Sequence, residues 1–145
     1  ESRLFGVGFS LGANYLLKYA CEQGEACPLA AVAVFGCPMD CVGMSRHLEG
    51  SVVGRLVNPT LVRSVQRVAR EHEAAFDRAG YDVARIAAAK SMYEFDDAAI
   101  APMMGAPSAA EYYRQASVAG GKAENLLRQL RVPTLAVSAA NDPIC

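Results

Sequence analysis

Gly8-Phe9-Ser10-Leu11-Gly12 sets one serine between two glycines, where a β-type segment (Leu4 to Val7) meets a helix-type segment (Leu11 to Ala20). A serine hydroxyl attacks a carbonyl only when it is exposed and can give up its proton, and a tight strand-to-helix turn provides the exposure. Such a turn is expected to be strained at Ser10, with Gly8 and Gly12 lacking side chains because strand and helix crowd together there. It would also leave the backbone N–H of Leu11 at a helix N-terminus, able to donate to the oxyanion formed when Ser10 attacks. A glycine-rich loop with a helix-capping serine would spell the same pentapeptide. What favours the nucleophile is the order strand, turn, helix, with Leu, Phe and Val in the strand and Leu11, Tyr15, Leu16 and Tyr19 at helical spacing.

A nucleophilic serine needs a histidine base and a carboxylate to orient it. In hydrolases built on parallel sheets these follow in the chain order serine, acid, histidine, with the acid on a loop at the carboxyl end of a late strand. Asp142 has that place: it follows the β-rich run Val132 to Ser138, lies after the helical middle of the chain, and precedes Pro143. The competing acid is Asp40, just after the earlier apolar run Leu29 to Phe35. Both histidines, His47 and His72, come before Asp142, so the base is expected beyond Cys145. His72 and Asp77 spell His-x-x-x-x-Asp, but on a helix residues five apart point about 140° away from one another and share no face.

The remaining reactive side chains make weaker patterns. The five cysteines, Cys21, Cys27, Cys37, Cys41 and Cys145, contain no Cys-x-x-Cys pair, and His47 is a poor complement to Cys37 and Cys41 for zinc. They read as free thiols suited to a reducing compartment, with no metal and no cofactor expected. Glu94, Asp96 and Asp97 form an acidic cluster without metal-ligand neighbours, of the kind that serves as helix cap or surface ion-pair partner.

These residues must be held by a fold, and the apolar patterning indicates which. Leu29 to Phe35 is a continuous apolar run, as a buried parallel strand requires. From Pro38 onward the character changes. Pro59 to Phe76 carries Leu61, Val62, Val65, Val68, Ala69 and Phe76 as a helical stripe, which is expected to cover either the sheet or a bound acyl chain. A further helix is expected from about Val83 to Met92, a loop from Pro102 to Pro107, and a helix over Ala109 to Ala116 opened by the capping box Ser108-Ala109-Ala110-Glu111. Lys122 to Leu130 repeats the helical pattern. Helices inserted between strands in this way form a lid, here at about 44–120, so that residues 1–145 run from the nucleophile turn to the acid.

With 145 residues, 52% of them hydrophobic, the chain can bury one core. A formal net charge of −1 without a Lys/Arg cluster argues against nucleic acid as a partner. No apolar run approaches the roughly 18 residues of a membrane span, so any membrane association is expected through segments outside this chain. The expected location is cytoplasmic or membrane-associated.

Gly8-Phe9-Ser10-Leu11-Gly12-Ala13-Asn14-Tyr15-Leu16-Leu17-Lys18-Tyr19 closely resembles the nucleophile segment of the YheT-like branch of the α/β-hydrolase-domain proteins. Cys37-Pro38-Met39-Asp40 resembles the segment after that family's next strand. Tyr93-Glu94-Phe95-Asp96-Asp97, with Ala101-Pro102 and Tyr112-Tyr113, resembles its lid signature, and Pro133 through Pro143 its acid-bearing strand. Ala13 departs from the second glycine common in relatives, yet is small enough to keep helix and sheet close. The resemblance implies a partial α/β-hydrolase fold, parallel strands flanked by helices with a helical lid insertion, and an internal fragment, since complete domains run well over about 200 residues. It implies a serine hydrolase of carboxylic esters, with lipid or phospholipid esters among the substrates of relatives, Ser10 as nucleophile and Asp142 as triad acid. Acyl transfer through the same acyl-enzyme, or a degenerate binding module, are the alternatives. With the histidine and the second oxyanion donor outside it, this chain is expected to be inactive alone.

Overall fold

The computed structural model describes residues 2–120, 124–142 and 144. Strands β1 (Leu4–Phe9), β2 (Leu29–Phe35) and β3 (Thr134–Val137) alternate with helices α1 (Ser10–Gln23), α2 (Cys41–Gly50), α3 (Val52–Glu71), α4 (Glu73–Arg78), α5 (Val83–Ala88), α6 (Met92–Phe95), α7 (Ala101–Met103), α8 (Ala109–Ala116) and α9 (Glu124–Leu127). A π-helical turn, Asp96–Ile100, joins α6 to α7. The chain divides into two units, Glu1–Met44 with Ala116–Cys145, and Ser45–Gln115.

The first unit is a parallel sheet in the order β1-β2-β3, the partial α/β-hydrolase fold that the sequence implies. Parallel neighbours need crossovers, and α1 supplies the first. Its buried face is Ala13, Asn14, Leu17, Ala20 and Cys21, which meets Val32 and Val34 of β2 in the core. Of the four residues at the expected helical spacing, Leu16 packs against this core, while Leu11, Tyr15 and Tyr19 lie on the exposed side, each about 40% exposed. Ala13, Ala20 and Cys21 allow the helix to approach the sheet closely, and Leu17 fills the space between them.

β2 is the central strand, with Val32 and Val34 buried in the core and the rest of its apolar run half-buried. β1 differs from the expected buried strand: Leu4, Phe5, Val7 and Phe9 are all well exposed. It is an edge strand, and Phe5, Val7 and Phe9 lie with Ala31, Ala33 and Leu135 on a sheet face that no described residue covers.

The second unit is helical. α3 begins at Val52, capped by the Ser51 hydroxyl accepting from the Gly54 N–H at 2.9 Å, and runs through Pro59 rather than starting there. It ends at His72, so the stripe to Phe76 is broken between two helices. The buried side of α3 is Asn58, Val62, Gln66 and Ala69, with Val65 and Phe76 also packed on a cluster that contains Ile86, Phe95, Ala98 and Ala99. The stripe is thus satisfied within its own unit, and Val68 is exposed. Two polar side chains close helix ends in this core: Asn58 Oδ1 accepts from the Met92 N–H at 2.8 Å, and Gln66 Nε2 donates to the carbonyls of Ile86, Ala87 and Ala89. Those carbonyls end the expected Val83–Met92 helix at Ala88. Met103 is helical inside the expected Pro102–Pro107 loop. α8 has the predicted bounds, with Ser108 Oγ accepting from the Glu111 N–H at 3.3 Å. Of the last expected helix Glu124–Leu127 is helical; Lys122, like Pro143 and Cys145, lies outside the described residues.

Candidate functional site

β1 ends at Phe9 and α1 begins at Ser10, so no loop intervenes. The reversal is absorbed at Ser10 itself, whose φ is +50°, the only positive φ at a non-glycine among the described residues. An L side chain held there is strained by about 1–3 kcal/mol, a state that persists only where its surroundings impose it. Gly8 is one such constraint: a Cβ on it would lie 2.6 Å from Ala13 Cα, which is backbone and cannot yield. Gly12 is different. A Cβ there would meet nothing within 4 Å, so crowding among the described residues does not explain that glycine.

Ser10 is exposed at the carboxyl edge of the sheet. The first turn of α1 contains no acidic residue and no side chain caps it, so no capping group competes for its first N–H groups, Leu11 among them. Phe9 stacks on Phe35 at the end of the neighbouring strand, ring centroids 5.1 Å apart. Beyond Phe35 the chain turns at Gly36, φ +52°, whose N–H donates to Val137 O of β3 at 2.9 Å.

Asp142 follows β3 on the same edge. Its Oδ1 accepts from the Ile144 N–H at 2.9 Å, and its Oδ2 lies 3.7 Å from where a Cβ on Gly36 would be. The carboxylate therefore sits over the end of β2, one strand away from the strand that delivers Ser10. Strands lie about 4.8 Å apart, which separates the ends of β1 and β3 by about 10 Å.

Asp40 is employed differently. Its Oδ1 accepts from the Gly43 N–H at 2.9 Å and its carbonyl from the Met44 N–H, the bonding of an N-cap on α2. Gly120, φ +84°, is required beside it, since a Cβ there would come within 2.8 Å of the Asp40 carboxyl carbon.

The histidines lie in the helical unit. His47 Nε2 is 3.3 Å from Ser51 Oγ, and His72 forms the break between α3 and α4, its carbonyl accepting from Ala75 and Phe76. Cys21, Cys37 and Cys41 are buried and Cys27 half-buried, none of them in a disulfide; burial, with Glu22 beside it, raises the Cys21 thiol above its ordinary pKa. Glu94 accepts from the Lys90 N–H, while Asp97 pairs with Arg85 and accepts from the Ala109 N–H, opening α8. Both serve as the caps and ion-pair partners that their cluster suggested.

Asp96 is the exception in that cluster. It is buried, and Tyr113 Oη donates to its Oδ2 at 2.6 Å. Burial pushes the Asp96 carboxyl up to about 6 despite that hydrogen bond, and burial beside Asp96 raises Tyr113 as well. Sequence reasoning left this pair unassigned. The available signal was a carboxylate, Asp96, among the apolar residues Phe95, Ala98 and Ala99. Asn14, buried beneath Ser10's helix, was missed in the same way.

No family model matches the chain, and no solved structure matches it. Curated proteins do. An "Abhydrolase domain-containing protein" of Dictyostelium discoideum is 30% identical over 97% of this chain and 34% of its own length. "Medium-chain fatty acid ethyl ester synthase/esterase 2" of Saccharomyces cerevisiae is 28% identical over 99% of this chain and 36% of its own. A protein of Escherichia coli that carries the YheT name is 29% identical over 94% and 39%. The chain thus spans somewhat more than a third of the length of these relatives.

Proposed function

We propose, from a chain that is an α/β-hydrolase by its fold and by its likeness to the YheT and abhydrolase-domain proteins, that the whole protein is a serine hydrolase of carboxylic esters with Ser10 as nucleophile. The observation that carries this reading is the strained backbone of Ser10, φ +50°, at a loopless join of strand and helix. Nothing in folding alone favours a serine at such a φ; exposure of its hydroxyl does.

In the proposed reaction a histidine from beyond Cys145 takes the Ser10 proton as Oγ attacks the ester carbonyl. Asp142 holds that histidine, and the Leu11 N–H donates to the oxyanion, with a second donor from another part of the protein. The tetrahedral intermediate expels the alcohol, which takes the proton back from the imidazole. Water then enters by the same route, and the acyl-enzyme is released as the acid. The Asp40 bonds to Gly43 and Met44 support Asp142 over Asp40 as the orienting acid. We read Ser45–Gln115 as the lid, and lipid or phospholipid esters as the substrate class.

Acyl transfer is the second reading, favoured by the name of the yeast relative, which joins a synthase of fatty acid ethyl esters to an esterase. An alcohol then replaces water at the acyl-enzyme. The test is Ser10→Ala in the whole protein: hydrolysis of a short-chain ester and labelling by a fluorophosphonate are both expected to disappear with folding retained. Persistent labelling would remove Ser10 from the mechanism. Product analysis with and without an added alcohol separates hydrolysis from transfer.

A further inference from the structure

We infer that Asn14 is a positioning residue for Ser10: its buried amide ties the first turns of α1 to the two stems through which the chain leaves the sheet-bearing unit and returns to it. This inference rests on the reading of Ser10 as nucleophile.

Asn14 lies one helical turn after Ser10 and is 0% exposed. Its Nδ2 donates to Pro38 O at 2.9 Å and to Ala116 O at 3.0 Å, with Cys41 Sγ at 3.7 Å. The two carbonyls are far apart in sequence but alike in place. The first unit extends to Met44 and resumes at Ala116, so Pro38 belongs to the outgoing stem and Ala116 begins the returning one. The stems are also bound to each other. The Cys41 N–H donates to Ser117 Oγ at 3.0 Å, and the N–H groups of Val118 and Ala119 donate to Met39 O at 2.9 and 3.0 Å. One side chain on α1 therefore grips both strands of this clasp.

The chemistry of the amide makes the grip specific. An NH2 group offers two donors from one atom, matching two carbonyls that converge on it, and the opposite orientation would set oxygen against oxygen. Asn14 Oδ1 has no hydrogen-bond partner among the described residues although it is buried. An orphaned acceptor is destabilising, and it is tolerated here because the two donor bonds fix the orientation. Farther along, α1 is held by the apolar packing of Leu17, Ala20 and Cys21, which does not involve the amide. Loss of Asn14 would therefore free mainly the turn that carries the Ser10 hydroxyl and the Leu11 N–H.

The test compares Asn14→Ala, Asn14→Asp and the packing control Leu17→Ala in the whole protein. Asn14→Ala is expected to lower kcat for an acetate ester, and the rate of fluorophosphonate labelling, by about tenfold to a hundredfold with little change in KM, as displacement of a reacting group by a fraction of an ångström does. Leu17→Ala, for a comparable drop in melting temperature, is expected to keep kcat within about a factor of two. Asn14→Asp has the same shape but, ionised, no donor. Its labelling rate relative to the unaltered protein should recover as pH falls and a protonated carboxyl regains one hydrogen bond. Equal kcat losses in Asn14→Ala and Leu17→Ala, or a relative rate in Asn14→Asp that does not change with pH, would overturn the inference; the second readout decides if Asn14→Ala does not fold. Either result leaves the Ser10 reading standing. That reading fails only if Ser10→Ala still labels.

Discussion

The strand ends of the sheet-bearing unit and the core of the helical unit use polar side chains in opposite ways. In the helical unit Asn58, Gln66 and the Asp96–Tyr113 pair are buried and answer backbone or side-chain groups nearby. At the strand ends of the sheet Ser10 is exposed on strained backbone, and Asp142 is only partly buried. The comparison teaches that a perturbed carboxyl is a poor locator of chemistry by itself. Among the described residues the carboxyl with a clearly raised pKa is Asp96, which accepts from Tyr113 in the core of the helical unit. Backbone geometry and chain order locate the candidate site; titration behaviour locates a structural core.

The sharpest way to break this comparison is through the two acids of the sheet unit. Asp142→Asn in the whole protein is expected to lower kcat by about 10³- to 10⁴-fold, the effect of removing an orienting carboxylate from a triad. Asp40→Asn should change kcat by far less and lower stability slightly, since asparagine also caps helices. Steady-state kinetics on one short-chain ester decides it, and the reverse ranking would move the acid to the end of β2.

Packing provides the next effect. Gly8→Ala drives a methyl group into the Ala13 backbone, and a destabilisation of about 1–3 kcal/mol is expected from overpacking. Gly12→Ala, with open space around it, should cost less than half as much. Denaturant unfolding of the two variants measures the difference.

Asp96 tests the helical unit through pH. Its folded-state value near 6 lies above the ordinary carboxylate range, so between about pH 4 and pH 6 the folded protein binds more protons than the unfolded one. Stability contributed by this group therefore falls as pH rises through that window, by up to about 3 kcal/mol. Asp96→Asn, which keeps a partner for Tyr113, should flatten that decline. Melting temperatures of the two proteins from pH 4 to 7 give the comparison, and an unchanged slope would assign the pH dependence elsewhere.

The smallest expected effect is a gain. Ser10→Gly removes the Cβ from a residue at φ +50° and should stabilise the protein by about 1 kcal/mol while abolishing activity. A loss of stability would mean that the serine side chain supports the turn.

Local signals in the sequence were reliable where one residue type answers one local need. β2 is the run Leu29–Phe35, and α8 has the bounds that Ser108 and Ala116 suggested, because an apolar β-forming run and a capping hydroxyl both act within a few residues. The Ser10 turn was legible for the same reason. Partners distant in sequence were not: Gln66 ends α5 from 20 or more residues away, and Asn14 meets Ala116 across 102. Nor does size predict orientation. Leu11, Tyr15 and Tyr19 of α1 stand at helical spacing, yet the face that meets the sheet is Ala13, Leu17, Ala20 and Cys21. Pro59 reads as a helix start, but α3 passes through it, held by Gln66 and Asn58 on its packed side.

The uncovered sheet face has a practical consequence. Phe5, Val7, Phe9, Leu135 and Val137 present apolar surface beside the outer edge of β1, which pairs with no strand among the described residues, and an edge next to such a surface is a template for another strand. Purified by itself, the 145-residue chain would self-associate as its concentration rises, and a light-scattering dilution series would show it. Its solubility would respond to charges placed along β1 sooner than to any change in the helical unit.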